Sequence, residues 1–426
     1  MVGSTHWTLG VGCVLLLGVA CSDTPSEDDP SDSGAGGESA ADGGDGDAGS
    51  GGASGAGGVG GAGGRAGRDA SAGGGDGGAG GAGRGGAGGA GGAGSAADGG
   101  RGAPPLEPGK SMLVGVGAFG LRGWSEDGAE WSFCGEKRAS DEHAPNLLRA
   151  VGYGGGVFIA VGGDMNGMVM RTLEPARWQV DVHPKNACAN EGYPSSCLSW
   201  MGAVAYLDGV WLAGGGNGAT MRSNDGGVTW QGLHTGFPEK HIRSLGAGSE
   251  RFIAGTDGGA LFVTRDDGES WTMKAVWKDA PMNAFLVATH GNGTFVAYSG
   301  MEDSSACFVS SNAGDDWQAC DALVAKSRSF VFDATEARWV APISGGYATS
   351  SDAKAWTMHS ASDFPSDLLF DGETWFGGRG DAVYRGTSLD ALSRVATEVS
   401  GFRAWTVGRV LTKNSPGPGA ACSDNR

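Results

Sequence analysis

The stretch Ser223-Asn224-Asp225-Gly226-Gly227-Val228-Thr229-Trp230 lies between two short apolar runs and decides how the rest of the chain is interpreted. The pattern recurs, with decay, at 125–131 (SEDGAEW), 264–271 (TRDDGESW), 310–317 (SSNAGDDW) and 350–356 (SSDAKAW). Asp and Gly favour a tight turn, since an Asp side chain bonds backbone N–H groups two residues on and Gly accepts a positive φ. We therefore expect each copy to be a turn between two strands, with the Trp covering it from the returning strand.

The turns belong to a larger repeat of four short, strand-like runs bounded by Gly, Asn or Asp, as antiparallel meanders require. The clearest unit is 200–231. A period of roughly 40 to 50 residues is typical of propeller blades. The other complete units lie at 147–180, 242–272, 285–318, 327–357 and 367–395.

The two ends of the repeat array complement each other. Residues 112–132 supply only the last three strands of a unit, and Phe402–Leu411 supplies a single strand with nothing after it. The sequence therefore predicts an all-β fold, a single β-propeller of seven four-stranded antiparallel blades whose first blade is closed by the C-terminal strand. Such closure leaves no long unpaired edge. A ring of six or eight blades is the alternative, because the 367–395 unit lacks the turn motif and its Trp.

The repeat S-x-D-x-G-x-x-W resembles the Asp-box (BNR) repeat of sialidase-like β-propellers. In that family these turns lie on the face away from the ligand site. Because one turn chemistry recurs in blade after blade, the residues that form it are predicted to be structural. They are Ser125, Asp127, Gly128, Trp131, Ser223, Asp225, Gly227, Trp230, Asp267, Gly268, Trp271, Trp317, Asp352 and Trp356.

The N-terminus, residues 1–21, has the character of an export signal. The apolar run Trp7–Ala20 is short for a membrane span, and it ends in Leu17-Gly18-Val19-Ala20-Cys21 before the chain turns polar. This resembles a bacterial lipoprotein signal, which implies acylation of Cys21. No Lys or Arg precedes the apolar run, so an ordinary secretory signal cleaved nearby is the alternative. Either way we expect an exported protein, lipid-anchored to the outer membrane or cell surface in the first case.

Residues 22–109 are mostly Gly, Ala, Ser and Asp and offer almost no apolar side chains to bury, so a disordered linker is predicted. A Gly-rich coil of about 88 residues spans roughly 50 Å. Residues 110–426 then form the propeller. The net charge of −18 argues against nucleic acid or anionic lipid as a partner. Membrane contact is expected only through the lipid anchor, and the propeller is expected to be a monomer.

The six cysteines after Cys21 form an even set in an exported chain, which predicts disulfides. The expected pairs are Cys307 with Cys320 across a hairpin, Cys188 with Cys197 within one inter-blade loop, and Cys134 with Cys422 at the ring closure. The chain has no C-x-x-C or Cys/His zinc spacing. No metal and no cofactor are predicted.

A ligand is expected on the face opposite the Asp-box turns. The loops between second and third strands form this face, together with the connections between blades, one of which contains His241. Aromatic rings with scattered carboxylates and amides suit a sugar or a peptide. Ordinary solvated turn residues would give the same composition. The candidates in the loops are Asp164, Asn217, Asp257, Glu302, Asp303, Arg379 and Asp381.

The function that the sequence favours is a non-catalytic binding or scaffold propeller that recognises a glycan or an envelope protein. The alternative is a divergent sialidase-like glycoside hydrolase or lyase. The resemblance implies that such an enzyme would carry an R-I-P motif, an arginine triad, a Tyr/Glu nucleophile pair and an acid/base Asp. The chain has no R-I-P, and neither the triad nor the Tyr/Glu pair is evident in the sequence. No catalytic residue is therefore predicted.

Overall fold

A computed structural model describes residues 13–14, 109–135, 146–163, 167–182, 199–233, 240–276, 286–299, 307–396, 399, 402–410 and 423–425. In these ranges the chain forms seven β-sheets, each built on four antiparallel strands and arranged in a ring. The predicted seven-bladed propeller is confirmed, and rings of six or eight blades are excluded. None of the helices in the described ranges is long and apolar enough to cross a membrane.

Each blade runs from an inner strand at the ring axis to an outer strand at the rim. Blade 1 contains β29 (Phe402–Val410), β2 (Lys110–Gly117), β3 (Arg122–Ser125) and β4 (Ser132–Cys134). Blade 2 contains β5 (Leu148–Gly154), β6 (Val157–Gly162), β7 (Met168–Glu174) and β8 (Arg177–Val182). Blade 3 contains β9 (Met201–Leu207), β10 (Val210–Gly215), β11 (Thr220–Ser223) and β12 (Gln231–Gly232). Blade 4 contains β13 (Ile242–Gly248), β14 (Arg251–Thr256), β15 (Ala260–Thr264) and β16 (Thr272–Val276).

The remaining blades follow the same order. Blade 5 contains β17 (Leu286–Gly291), β18 (Thr294–Ser299), β19 (Cys307–Ser310) and β20 (Gln318–Ala319). Blade 6 contains β21 (Val331–Asp333), β22 (Arg338–Ile343), β23 (Gly346–Ser350) and β24 (Thr357–Ser360). Blade 7 contains β25 (Asp367–Phe370), β26 (Trp375–Arg379), β27 (Ala382–Gly386) and β28 (Ser393–Ala396). Single-turn 3₁₀ helices occupy Ala118–Gly120, Gly216–Gly218 and Leu389–Ala391.

The ring closes as the sequence predicts, because the C-terminal strand β29 is the inner strand of blade 1 and pairs along the whole of β2. Inner strands of successive blades touch one another, and β25 of blade 7 completes the circle against β29. Two short strands pair in parallel with the blades. They are β1 (Cys13–Val14), beside β29, and β30 (Ser423–Asn425), beside β8 of blade 2.

Because successive strands of a blade run in opposite directions, the connections between strands lie alternately at the two ends of the ring. The turns from first to second and from third to fourth strand lie at one end, which we call the turn face. The loops from second to third strand and the connections between blades lie at the other end, the loop face. The Ser223–Trp230 stretch joins β11 to β12 and therefore lies on the turn face, together with its copies.

A Ser (or Thr) and an acidic or amide side chain stabilise each of these turns. In blade 3, Ser223 Oγ donates to Asp225 Oδ1 (2.8 Å) and accepts the Gly227 N–H (2.9 Å), while Asp225 Oδ1 accepts the N–H of Thr229 (2.8 Å). Trp230 Nε1 then donates to Gly227 O (3.2 Å). Burial alone would raise the pKa of Asp225, but the hydrogen bonds to its carboxylate outweigh burial and lower it. The same bonds recur at Ser125/Asp127 and Ser310/Asn312. At Ser350/Asp352 they recur with Ser350 Oγ accepting the N–H of Asp352.

The prediction is wrong for one residue of the turns. In blade 4 the sequence prediction chose Asp267, but Asp266 accepts the bonds from Thr264 Oγ1 (2.7 Å) and from the Ser270 N–H (2.9 Å). Asp267 instead occupies the left-handed region (φ 54°), and burial raises its pKa. Two adjacent aspartates make the register ambiguous in the sequence, whereas the hydrogen bonds require the carboxylate two residues after Thr264.

In blades 2, 3 and 4 an arginine on the third strand, or just after it, binds the turn of the following blade. Arg171 Nε donates to Gly226 O (3.2 Å), and Arg222 Nη2 pairs with Glu269 (2.9 Å). In blade 5, Asp315 accepts Arg265 (2.6 Å), and Arg251 and Lys274 bind the same carboxylate. The hydrogen bond from Arg265, with those from Lys274 and Arg251, holds the pKa of Asp315 far below its usual range. These arginines therefore serve packing between blades.

Aromatic rings on the inner strands pack against glycines of the preceding blade. A Cβ on Gly154 would overlap the ring of Tyr206, and one on Gly291 would overlap Phe332. The same relation joins Gly248 to His290 and Gly408 to Tyr153. Close packing of this kind leaves no room for an added methyl group.

We expect Gly154→Ala to lower the free energy of unfolding by about 1–3 kcal/mol, because the new methyl group would clash with Tyr206. Urea unfolding of Gly154→Ala, Tyr206→Ala and the double variant measures the coupling. The double variant should be more stable than the sum of the single losses predicts, by about 1 kcal/mol. Additive losses would contradict the packing argument.

The described residues contain one complete disulfide, Cys307 with Cys320, which confirms that predicted pair. It joins the start of β19 to the residue after β20 and so encloses the Ser310 turn. Cys134, at the end of β4, is also disulfide-bonded. Cys188, Cys197 and Cys422 lie outside the described residues, so the other two pairings remain predictions.

Candidate functional site

Arginines occupy one register position at the loop-face end of the inner strands. Arg149 lies four residues before Tyr153, which pairs with Phe158 across the first hairpin of blade 2. Arg243 lies four residues before Ala247, which pairs with Phe252 in the same way. In blade 6, Arg328 lies four residues before Phe332, the partner of Trp339. Blades 2, 4 and 6 therefore each place an arginine near the axis of the loop face.

Trp200 contacts two of these arginines. It precedes β9 of blade 3, the blade between those of Arg149 and Arg243, and Gly202 provides the space for its ring, which a Cβ there would overlap. The Arg149 guanidinium carbon lies 4.9 Å from the centre of the indole ring, and that of Arg243 lies 4.5 Å from it. The ring is attracted to both cations through its quadrupole. Two guanidinium groups from different blades are thus held on one side chain.

Further contacts fix the position of each guanidinium. Arg243 Nε donates to Asp257 Oδ1 (2.9 Å), and Arg243 Nη2 lies 3.4 Å from Asp257 Oδ2. Arg149 is only 6% exposed, and its Nε donates to Gly163 O (3.4 Å). A planar guanidinium that is already oriented loses less entropy when it binds a carboxylate or a similar group.

His241 joins the loop of blade 3 to this cluster. Its ring centre lies 5.3 Å from that of Trp200, and its Nδ1 accepts the backbone N–H of Asn217 (3.0 Å). Burial lowers the pKa of His241, so the ring is neutral near pH 7 and Nε2 carries its proton. Asn217 occupies the left-handed region (φ 54°), which Asn tolerates better than most residues. We call Arg149, Trp200, Arg243, Asp257, His241 and Asn217 together the Trp200 cluster.

Blade 1 repeats the loop of Asn217 with an aromatic residue at its tip. Phe119 has the same backbone conformation as Asn217 (φ 54°), and both loops form a single 3₁₀ turn followed by the same closing bonds. A positive φ is unusual for a bulky residue and costs energy. The strain places a half-buried phenyl ring on the loop face.

Of the seven ligand-face residues that the sequence predicts, Asn217 and Asp257 belong to the Trp200 cluster. Arg379 and Asp381 are exposed on the loop face in blade 7, where Arg379 Nη1 pairs with Asp363 (3.2 Å). The same Asp363 binds Arg394 and accepts the hydroxyl of Tyr384. Three predicted residues lie outside the described ranges: Asp164, Glu302 and Asp303.

Sequence reasoning missed Arg149, Trp200 and Arg243, the centre of the cluster. A usable signal was present, since an arginine recurs just before or within the first residues of several inner strands. It appears in Leu148-Arg149-Ala150, Ile242-Arg243-Ser244, Ser327-Arg328-Ser329 and Phe402-Arg403-Ala404. The units are clearest in register at the outer turns, whereas their inner strands begin without a shared motif other than this arginine.

The described residues contain no group of three or more His, Cys, Asp or Glu side chains that could hold a metal ion. The donors of the Trp200 cluster are mainly cationic, and its carboxylate is already bound to Arg243. What the cluster can do chemically is bind an anionic group.

No protein-family model matches the chain, and no curated protein matches it in sequence. Solved structures share its fold at low similarity. YCF48 from Cyanidioschyzon merolae is 16% identical, with 45% of this chain and 69% of that chain covered and a TM-score of 0.34. The computationally designed Ika8 protein is 12% identical, with 70% and 91% covered and a TM-score of 0.44. PorZ, a surface component of the type-IX secretion system of Porphyromonas gingivalis, is 10% identical, with 66% and 37% covered and a TM-score of 0.41. These likenesses describe the fold alone.

Proposed function

We propose that the propeller is a non-catalytic binding domain that recognises an anionic group of a protein or glycan with its loop face. The observation that carries the proposal is the pair of guanidinium groups held on Trp200. The chain as a whole has a net charge of −18, so a cationic cluster at the ring axis is a local exception. Oriented cations in a cleft attract and bind carboxylates more strongly than scattered surface charges do.

The two arginines also favour an anionic group as the ligand, in preference to a neutral sugar ring. Arg149 and Arg243 come from the blades on either side of Trp200, and both guanidinium carbons lie within 5 Å of its ring centre. Two cations already lie against the indole ring, which leaves less of the ring for stacking against a sugar. An acidic peptide and an acidic glycan present the same chemistry to the cluster.

The enzyme alternative receives less support. Glycoside hydrolysis needs a pair of carboxyl groups that flank the scissile bond. Within the described residues of the Trp200 cluster the carboxylate present is that of Asp257, and Arg243 binds both of its oxygens. Asp164, Glu302 and Asp303 remain candidates for a second carboxylate in a sialidase-like hydrolase or lyase of the Asp-box class.

We further propose that the domain belongs to the Asp-box propellers and is displayed on a bacterial envelope. The Ser/Asp turn bonds recur with the geometry that the motif requires. The short apolar run before Cys21 supports export and lipidation, and the composition of 22–109 supports a flexible tether. Labelling with a radioactive fatty acid tests the anchor, and Cys21→Ala should abolish the label.

Calorimetry with two anionic probes, N-acetyl-hexaglutamate and trigalacturonate, tests the binding function. Hexaserine and a neutral galactose trimer are the uncharged controls. We expect Arg149→Gln with Arg243→Gln to weaken binding of the preferred probe at least ten-fold, since each charged hydrogen bond contributes about 1.5–3 kcal/mol. Arg177→Gln removes an exposed charge on the turn face and should leave binding unchanged.

The two probes distinguish a peptide partner from a glycan partner. Binding that the double variant retains in full would contradict the proposed site. Release of shorter sugars from trigalacturonate, followed by mass spectrometry, would overturn the non-catalytic function in favour of the enzyme. Thermal unfolding of each variant establishes that the fold is intact.

A further inference from the structure

Asp367 is a buried carboxyl group on the loop face that the proposed binding function does not use. It is the first residue of β25, at the end of the inner strand of blade 7, and is 7% exposed. Its hydrogen bond is a long one, from Ser366 Oγ at 3.5 Å. A buried carboxylate with so little hydrogen bonding is costly in its charged form.

Asp367 is held beside one of the register-equivalent arginines. Ser329 Oγ accepts the N–H of Leu368 (3.2 Å), so the chain at Arg328 in blade 6 is pinned to the start of β25 in blade 7. Arg328 acts on the Asp367 carboxyl electrostatically and favours its ionised form. This contact and the effect of Arg328 place a carboxyl group beside the third of the register-equivalent arginines.

Among the described residues, the other groups that act on Asp367 or face it are uncharged. Tyr298 on β18 is fully buried, and burial raises the pKa of its phenol, so it stays neutral. Ser366 and Ser329 are uncharged. Burial outweighs the effect of Arg328 and of the Ser366 hydrogen bond and raises the pKa of Asp367 to about 7. The carboxyl group therefore changes charge near neutral pH.

We propose that Asp367 controls the affinity of the loop face for anions by gaining or losing a proton beside Arg328. As a neutral acid it leaves the face one charge more positive, and as a carboxylate it offsets the potential of Arg328. This inference rests on the proposed binding function and adds its regulation. The ligand class is an anionic peptide or glycan, bound more tightly in mildly acidic than in mildly alkaline solution.

The effect is distinguishable from titration elsewhere in the site. Burial lowers the pKa of His241 from its ordinary value, so its titration lies on the acidic side of neutrality, and Asp367→Asn retains this ring as an internal control. The carboxylates of N-acetyl-hexaglutamate titrate near pH 4.3 and stay ionised over the same range. A change in affinity across neutral pH that depends on residue 367 can then be assigned to Asp367.

The test measures binding of N-acetyl-hexaglutamate and trigalacturonate to the full chain at pH 6 and at pH 8.5, at constant ionic strength. We expect the affinity to fall roughly five-fold at the higher pH, as for one added charge in a partly screened site. In Asp367→Asn it should be the same at both pH values and equal to that of the unaltered protein at pH 6. Arg328→Gln should weaken binding at pH 6 and reduce the dependence on pH.

The outcomes separate the two proposals. Saturable binding with no dependence on pH, or a dependence that survives in Asp367→Asn, would overturn the role of Asp367 and leave the binding function standing. Absence of binding at both pH values would overturn the binding function. Carbon-13 NMR of the Asp367 carboxyl supplies a readout without ligand, since titration below pH 5 would by itself refute the inference.

Discussion

A chain that ends after residue 401 is expected to lose the cooperative unfolding transition of the propeller. Without β29, blade 1 would keep its outer three strands, and the inner edge of β2 would expose a row of unpaired backbone groups. Trp405 and Val407, which pack against Leu369 and Phe376 of blade 7, would also be removed. The ring would then be open between its first and last blades.

Urea unfolding followed by tryptophan fluorescence measures this effect, with size-exclusion chromatography to detect association through the open edge. The matched control ends after residue 422 and lacks β30, which pairs only with β8 at the rim of blade 2. We expect the control to unfold cooperatively with a loss of about 1–2 kcal/mol at most. A chain ending at 401 that unfolds at the same urea concentration as the full chain would refute closure by β29.

The closure was predictable because the evidence for it is local. Residues 112–132 contain a turn motif with strands on both sides, so the missing inner strand is visible as a gap in a regular pattern. The turn residues could be predicted for the same reason, since Ser223, Asp225 and Trp230 interact within one short segment. The exception, Asp267, shows the limit of a pattern in which two adjacent residues have the same chemistry.

The Trp200 cluster could not be predicted by the same means. Arg149 and Arg243 are far apart in the sequence and meet at Trp200 only because blades 2, 3 and 4 are neighbours in the ring. Gly202 gives no hint in the sequence that it makes room for an indole ring. By contrast, Asn217 and Asp257 were found because loops between second and third strands follow directly from the blade pattern. The strand order predicts which face carries the loops. Which arginines meet on that face depends on packing between blades, which the sequence does not show.

Two buried groups are expected to give the stability of the propeller opposite dependences on pH. The pKa of Asp367 is raised to about 7 by burial, so its neutral form favours the fold, and stability is lost as the pH rises from about 4 through 7. The pKa of His290 is lowered to about 4 by burial, so its neutral form also favours the fold. That contribution is complete above pH 6.5 and is lost as the pH falls towards 4.

Between pH 5 and pH 8 these contributions largely cancel in the unaltered protein. Asp367 should reduce the free energy of unfolding by about 3 kcal/mol over the two pKa units from pH 5 to its own pKa, at about 1.4 kcal/mol per unit. His290 should increase it by about 2 kcal/mol over the interval from pH 5 to 6.5. The carboxylates of the turns titrate below this range, because their hydrogen bonds lower their pKa values.

Single substitutions should therefore reveal slopes that the unaltered protein hides. Asp367→Asn is expected to become more stable as the pH rises from 5 to 8, by about 2 kcal/mol, because the contribution of His290 is then no longer offset. His290→Phe, which places at this position the residue type that blade 6 carries as Phe332, should instead lose about 3 kcal/mol over the same range. The double variant should show only the smaller slope left by His241, whose pKa burial also lowers. Urea unfolding at pH 5, 6.5 and 8 measures all four proteins, and parallel slopes in the two single variants would contradict the opposite signs derived from burial.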